Sequence, residues 1–310
     1  VQFAGFSNHV GGESEGVLFA GFANTYARGR GLQFAGFSNF AREKVSGAQF
    51  AGFLNRAADV DGFQFAGFSN IGNNVHGSQF AGFVNSAKSI TGSQFAGFAN
   101  NSRKQAHGSQ FAGFINKAGD VKGSQFAGFI NIAKRVTGTQ MAGFINIADS
   151  SDNPIGIINI IRTGEKGLGI TIDDNATSLL TFRSGGRNLY GIIGAGYNLQ
   201  TITNKLYALE AGLGVHFSIV NSFRINTEIT TVALHDFRDT DFFKSSLKVL
   251  PALKLTRSIE LFGGPAFNWV QTSSFRGREL QKNYLHEWSG RNDFFDGIYI
   301  GYTGGVQFFF

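Results

Sequence analysis

The sequence predicts an all-β chain in two parts. An N-terminal β-solenoid of about ten 15–16-residue coils occupies residues 1–160, and a C-terminal antiparallel transmembrane β-barrel of about eight strands occupies 161–310. Three observations lead there. The motif QFAGFxN returns ten times. Its period is too short for two helices, since helical repeats need roughly 33 residues or more. After residue 166 the rhythm changes to a two-residue alternation, held over stretches of 10–15 residues.

The motif begins at Gln2, Leu18, Gln33, Gln49, Gln64, Gln79, Gln94, Gln110, Gln125 and Gln140. Eight copies read QFAGF unchanged, and Leu18 and Met141 mark the two departures. The Asn never fails: Asn8, Asn24, Asn39, Asn55, Asn70, Asn85, Asn100, Asn116, Asn131 and Asn146. Gly and Asn are poor helix formers, which argues for one solenoid coil per repeat. QFAGF is read as the first strand, and the Asn as a turn residue that bonds its own main chain. The Gly three residues before each later Phe, as at Gly31 and Gly47, makes the second turn through positive φ.

Stacking sets each side chain above its counterpart, and Asn ladders and stacked aromatics stabilise such stacks. Asn39, Asn55, Asn70, Asn85, Asn100, Asn116 and Asn131 are therefore the expected structural ladder. Neighbours in a strand face opposite ways. Phe34 and Phe37 are three apart, so one ladder should point in and the other out, unless a bulge at Gly36 turns both inward. An outer ladder would be a long apolar stripe of the kind that marks a partner or membrane contact. Phe34, Phe50, Phe65, Phe80, Phe95, Phe111 and Phe126 are the candidate partner-contact ladder. The alternative is that they pack on the chain's own second half.

Charge sits in the variable segments, as in Arg42-Glu43-Lys44 and Lys134-Arg135, and reads as a solvated face. The net charge is +6, but no run of Lys or Arg forms a nucleic-acid groove. There is no Cys, so disulfide and thiol chemistry are excluded. Asp59-Val60-Asp61 and Asp120 hint at calcium, but their spacing does not recur, so no metal or cofactor is expected. The rhythm breaks at 149–154, and Ile155-Gly156-Ile157-Ile158-Asn159 reads as a degenerate eleventh coil that caps the stack.

Alternation then marks strands at 205–219, 222–235, 246–256 and 296–310, with weaker ones at 166–173, 177–183, 188–199 and 258–271. These exceed the usual five or six residues of soluble strands and match the roughly 9–11 needed to cross a bilayer. No apolar run reaches 18 residues, which excludes a transmembrane helix. Tight turns fall at 184–187, 221–222 and 257–258, and longer loops at 174–177, 200–204, 236–243 and 272–295. Short connections on one side and longer ones on the other are the outer-membrane pattern. Tyr197, Phe217, Phe223, Trp269, Tyr299 and Phe310 are the expected aromatic rim.

On these strands, and on the terminal Val306-Gln307-Phe308-Phe309-Phe310, residues 166–310 resemble a bacterial outer-membrane β-barrel. The array resembles the short-period Gly/Asn surface repeats of predicted spirochaete and Bacteroidetes envelope proteins. It is also distantly similar to the β-roll heads of trimeric adhesins, but has no coiled-coil stalk. The resemblance implies a non-catalytic protein of the bacterial outer membrane, whose barrel contacts lipid and whose solenoid is presented to an envelope protein partner. With eight strands the array hangs into the periplasm, whereas a miscounted strand, or the adhesin analogy, puts it outside the cell as an adhesin. A further alternative is a lipid-hydrolase-like barrel enzyme or a small-solute pore. For the enzyme, His216, Ser218, Glu210 and Glu228 are the residues that could share the barrel interior. No GxSxG, metal-ligand spacing or phosphate loop accompanies them.

Overall fold

A computed structural model describes residues 1–186, 188–200, 206–237, 241–289 and 295–310. Arg187 of the first tight turn therefore lies outside the described residues, as do 201–205, 238–240 and 290–294 of the predicted loops and strand starts. The chain is all-β, with a parallel solenoid of about 11 turns followed by a closed antiparallel eight-stranded barrel. Two compact units divide it, Val1–Asp152 and Asn153–Phe310.

In the first unit every coil pairs in register with the next. Gln33 sits over Gln49, Phe34 over Phe50, and Asn39 over Asn55. The strand ends sooner than the motif suggests. It stops at Ala35, and Gly36-Phe37 form a corner before a new strand, Ser38–Ala41. That corner decides which side chains point inward. Gln33 and Ala35 turn in and Phe34 turns out; beyond the corner Asn39 turns in again. Neither Phe ladder is internal, which corrects the expectation that one of them, or both, would fill the coil. Asn39 likewise lies within a strand rather than at the turn.

The interior holds small and amide side chains. Val45, Val60, Val75, Ile90, Val121 and Val136 stack along one line, beside Ala41, Ala57, Ala87, Ala118 and Ala133. The Asn and Gln ladders complete the lumen, each member from Asn39 to Asn131 and from Gln49 to Gln125 being at most 1% exposed. Buried amides are tolerable only when paired. Asn39 Nδ2 donates to Asn55 Oδ1 at 2.9 Å and to the Phe50 carbonyl at 2.8 Å.

Two glycine columns make this stacking possible. Gly47 has φ +134°, and a Cβ there would lie 2.0 Å from the Gly31 carbonyl oxygen. Gly47 kinks the strand Lys44–Ala51 from within, while the second bend proper falls just before it, at Arg42-Glu43. At Gly52 the backbone is ordinary, yet a Cβ would meet the Gly36 carbonyl oxygen at 2.1 Å. One column needs positive φ as well as space; the other needs space alone.

The second unit is the barrel. Its strands are Lys166–Asp173, Thr177–Gly185, Leu189–Asn198, Tyr207–Val220, Phe223–His235, Asp241–Lys254, Ile259–Thr272 and Phe295–Phe309. Each pairs antiparallel with its neighbour, and the last pairs with the first to close the sheet. The sixth strand starts five residues before the expected 246, because Phe242 points inward and breaks the alternation there. The segment expected as one loop over 272–295 holds a helix, Phe275–Glu279, capped by Ser274 Oγ accepting from the Gly277 amide at 3.0 Å. It also holds a strand, His286–Ser289, which pairs with the last barrel strand. Asn159 of the degenerate coil is buried in this second unit, where its amide donates to Ser184 Oγ at 3.0 Å.

Candidate functional site

The array's outward face carries both Phe columns. Successive rings stack at 4.8 Å between Phe34 and Phe50, and at 4.9 Å between Phe37 and Phe53. Each ring covers its neighbour's face, so the column presents ring edges outward. Phe83 and Phe98 are 41% and 39% exposed. All seven candidate contact residues, Phe34, Phe50, Phe65, Phe80, Phe95, Phe111 and Phe126, line one continuous trough. Its floor is the repeating Ala-Gly pair, its ends are Phe19 and Met141, and its volume is about 990 Å³.

Several charged and polar residues of the array pair across coils. Arg135 Nη2 lies 2.6 Å from Asp120 Oδ2, and this hydrogen bond holds the Asp120 carboxyl below the usual carboxylate range. Lys44 pairs with Asp61, and Asn74 Nδ2 donates to Asp59 Oδ1 at 2.9 Å. The residues that hint at calcium are thus each engaged by a neighbouring coil. The Gln column is a ladder that the motif displayed but whose role it did not reveal. Gln64 Nε2 donates to Gln49 Oε1 at 2.7 Å, and the pattern continues to Gln140. Its donors point towards the N-terminus, whereas those of the Asn ladder point towards the C-terminus.

The barrel has its polar residues inside. Arg183 Nε donates to Glu228 Oε1 at 2.9 Å, with Tyr190 Oη on the same oxygen at 2.9 Å. Lys248 Nζ donates to Glu210 Oε1 at 2.7 Å. Arg224 reaches Glu260 at 3.1 Å and Glu165 at 2.7 Å, and Lys244 pairs with Asp173. Towards the end that carries the longer connections, Leu206, Leu234, Phe242, Val270, Leu280 and Tyr299 form an apolar plug.

The outward positions are apolar. Leu168, Ile170, Leu209, Leu213, Ile229 and Leu247 are all more than two-fifths exposed. Of the expected rim, Tyr197, Phe217, Trp269 and Phe310 face outward. Tyr299 does not: it shares the inward face, and its hydroxyl donates to Asn175 Oδ1 at 2.9 Å.

The four residues of the enzyme alternative are divided between inward and exposed positions. Glu210 and Glu228 are inside, each ion-paired. His216 is inside, its Nδ1 2.8 Å from Asn226 Oδ1 and its ring stacked on Tyr190. Ser218 is exposed, which corrects its expected place in the interior. The bulge between Ser218 and Val220 lies where the strand leaves the inward pattern. Nucleophilic catalysis needs a base within hydrogen-bond reach of the hydroxyl. His216 and Ser218 instead border a mouth cavity of about 560 Å³ with Glu165, Asn188 and Arg224.

Among the described residues no helix is long and apolar enough to cross a membrane, which says nothing of a β-barrel. The chain matches no protein-family model, no curated protein and no solved structure.

Proposed function

We propose that this is a non-catalytic protein of the bacterial outer membrane, in which the barrel is a lipid-embedded anchor and the solenoid is presented to a partner in the cell envelope. One observation carries the reading: the barrel is apolar outside and ion-paired inside. A water-soluble barrel places its large apolar side chains in the lumen, whereas a barrel in lipid turns them outward. Exposed apolar patches beyond a few hundred Å² mark contact with lipid or protein. Here apolar residues face out around the whole sheet, from Leu168 on the first strand to Ile300 and Phe308 on the last.

The connections support a periplasmic array. The first strand begins and the last ends at the same edge as the tight turns near Asn221 and Arg257. Short turns lie on the periplasmic side of such barrels, so the chain enters the barrel from the periplasm. The apolar plug and the ion pairs favour an anchor over a pore, since eight strands enclose only enough room for side chains.

Gel mobility of the full chain tests the anchor. Folded in detergent, it migrates differently before and after boiling, and it precipitates when detergent is withdrawn. A chain that stays monomeric and soluble without detergent overturns the reading. Protease treatment of intact cells tests the side: residues 1–150 survive if they lie in the periplasm and are lost if they lie outside.

A further inference from the structure

We infer that the trough along the array is a binding site for linear acyl chains, with the Phe34–Phe126 column as its wall. The inference rests on the first unit alone and stands whether or not the barrel lies in lipid.

The lining selects the ligand class. Every lining side chain is Phe, Ala or Met, with Gly between them, and none offers a hydrogen bond or a charge. The glycine amides of the floor are already used. The Gly36 amide donates to the Ala20 carbonyl at 3.1 Å, the Gly52 amide to Ala35 at 3.2 Å, and the Gly67 amide to Ala51 at 3.1 Å. A peptide strand added here would find no free glycine amide on the floor, and β-augmentation needs donors as well as acceptors. A glycan would find no polar side chain. Sugars also stack on aromatic faces, and these faces are covered by the next ring at 4.7–5.0 Å. What the trough offers is ring edges and apolar backbone carbon in a continuous line, and a hydrocarbon chain makes no other demand.

Size agrees with this chemistry. From Phe19 to Met141 there are eight coil spacings, each about 4.8 Å, which makes a straight path of roughly 38 Å. One acyl tail spans half of a bilayer core, or about 15 Å. The trough is long enough for two tails end to end. Its volume of about 990 Å³ lies at the upper end of ordinary ligand sites. Because the floor repeats without interruption, no position holds a chain better than the next, so a bound tail slides along the array.

Photolabelling of the full chain in lipid nanodiscs tests this, with palmitic acid carrying a terminal diazirine as the probe. Labelled peptides are mapped by mass spectrometry. Label is expected on array peptides holding Phe80, Phe95 and Phe111. The triple variant Phe80→Gln, Phe95→Gln, Phe111→Gln keeps side chains that ladder well and should lower labelling of the peptides that hold those three positions by about tenfold, with label remaining on the unchanged rungs. The matched variant Phe83→Gln, Phe98→Gln, Phe114→Gln changes the column outside the trough and should leave labelling within about twofold. Unlabelled palmitate should compete label from the array of the unmodified chain, a measurement independent of how the variants fold. Array labelling that resists competition, that falls equally in both variants, or that is absent while barrel peptides are labelled overturns the inference. So does a trough-mediated dimer that excludes the probe. Labelling of barrel peptides reports separately on the lipid contact of the anchor.

Discussion

Asn85 Nδ2 donates to Asn100 Oδ1 at 3.0 Å, and Asn85 Oδ1 accepts from Asn70 Nδ2 at 2.9 Å. The same Nδ2 reaches the Phe95 carbonyl at 2.7 Å, so one amide ties three coils together within a lumen closed to water. Asn85→Ala removes these bonds and strands the amides above and below. The expected loss is about 2–4 kcal/mol. Asn85→Asp should cost more, because a carboxylate cannot donate to Asn100 or to the carbonyls. Urea unfolding followed by circular dichroism checks both; a change below about 0.5 kcal/mol for Ala would contradict the ladder's role.

The Gln column ends differently, and its end gives an inverted prediction. Neither amide atom of Gln33 has a partner, although the side chain is fully buried. Gln49 Nε2 donates at 2.7 Å to the Tyr26 hydroxyl, bypassing Gln33, and the preceding coil carries Leu18 in register with Gln33. Gln33→Leu should therefore be neutral or stabilising, by up to about 1 kcal/mol. Gln79→Leu, which breaks two amide bonds of 2.8 Å, should cost about 2 kcal/mol or more. The melting temperature should hold or rise for Gln33→Leu and fall for Gln79→Leu.

How much of this was legible follows from the side chains. The repeat gave the coil, its in-register stacking and the Asn ladder, because a fixed period leaves a solenoid few alternatives. The barrel strands were readable wherever outward residues stayed apolar, as from Tyr207 to Ile219. The inward face of the motif was not readable. QFAGF looks like one strand, but the corner at Gly36-Phe37 resets the in-and-out parity, and no residue before it announces that reset. The Phe34–Phe126 column was readable as an outer stripe, whereas the outward turn of the Phe37 column as well was not. Ser218 is exposed although it pairs with inward-facing Arg224, because it lies at the barrel mouth, which alternation alone does not locate.

Inside the barrel, Glu228 and Arg183 are both within 3% of full burial. Glu228→Ala leaves the guanidinium buried without its counter-ion and should destabilise by about 3–5 kcal/mol. The double change Arg183→Met, Glu228→Leu removes both charges and should recover most of that loss. Urea midpoints of the full chain in lipid vesicles decide it. A double variant no better than Glu228→Ala would mean that the pair matters for more than mutual neutralisation.

The measurement that most directly tests the outward-facing apolar surface is bromolipid quenching of Trp269. This side chain is on the outer face, 47% exposed, with Nε1 3.1 Å from Asp296 Oδ1. With Trp288→Phe it becomes the only tryptophan of the chain. In vesicles of acyl-brominated lipid its fluorescence should fall strongly, while aqueous iodide leaves it bright. Emission untouched by brominated lipid but quenched by iodide would contradict the lipid-embedded barrel and the anchor built on it.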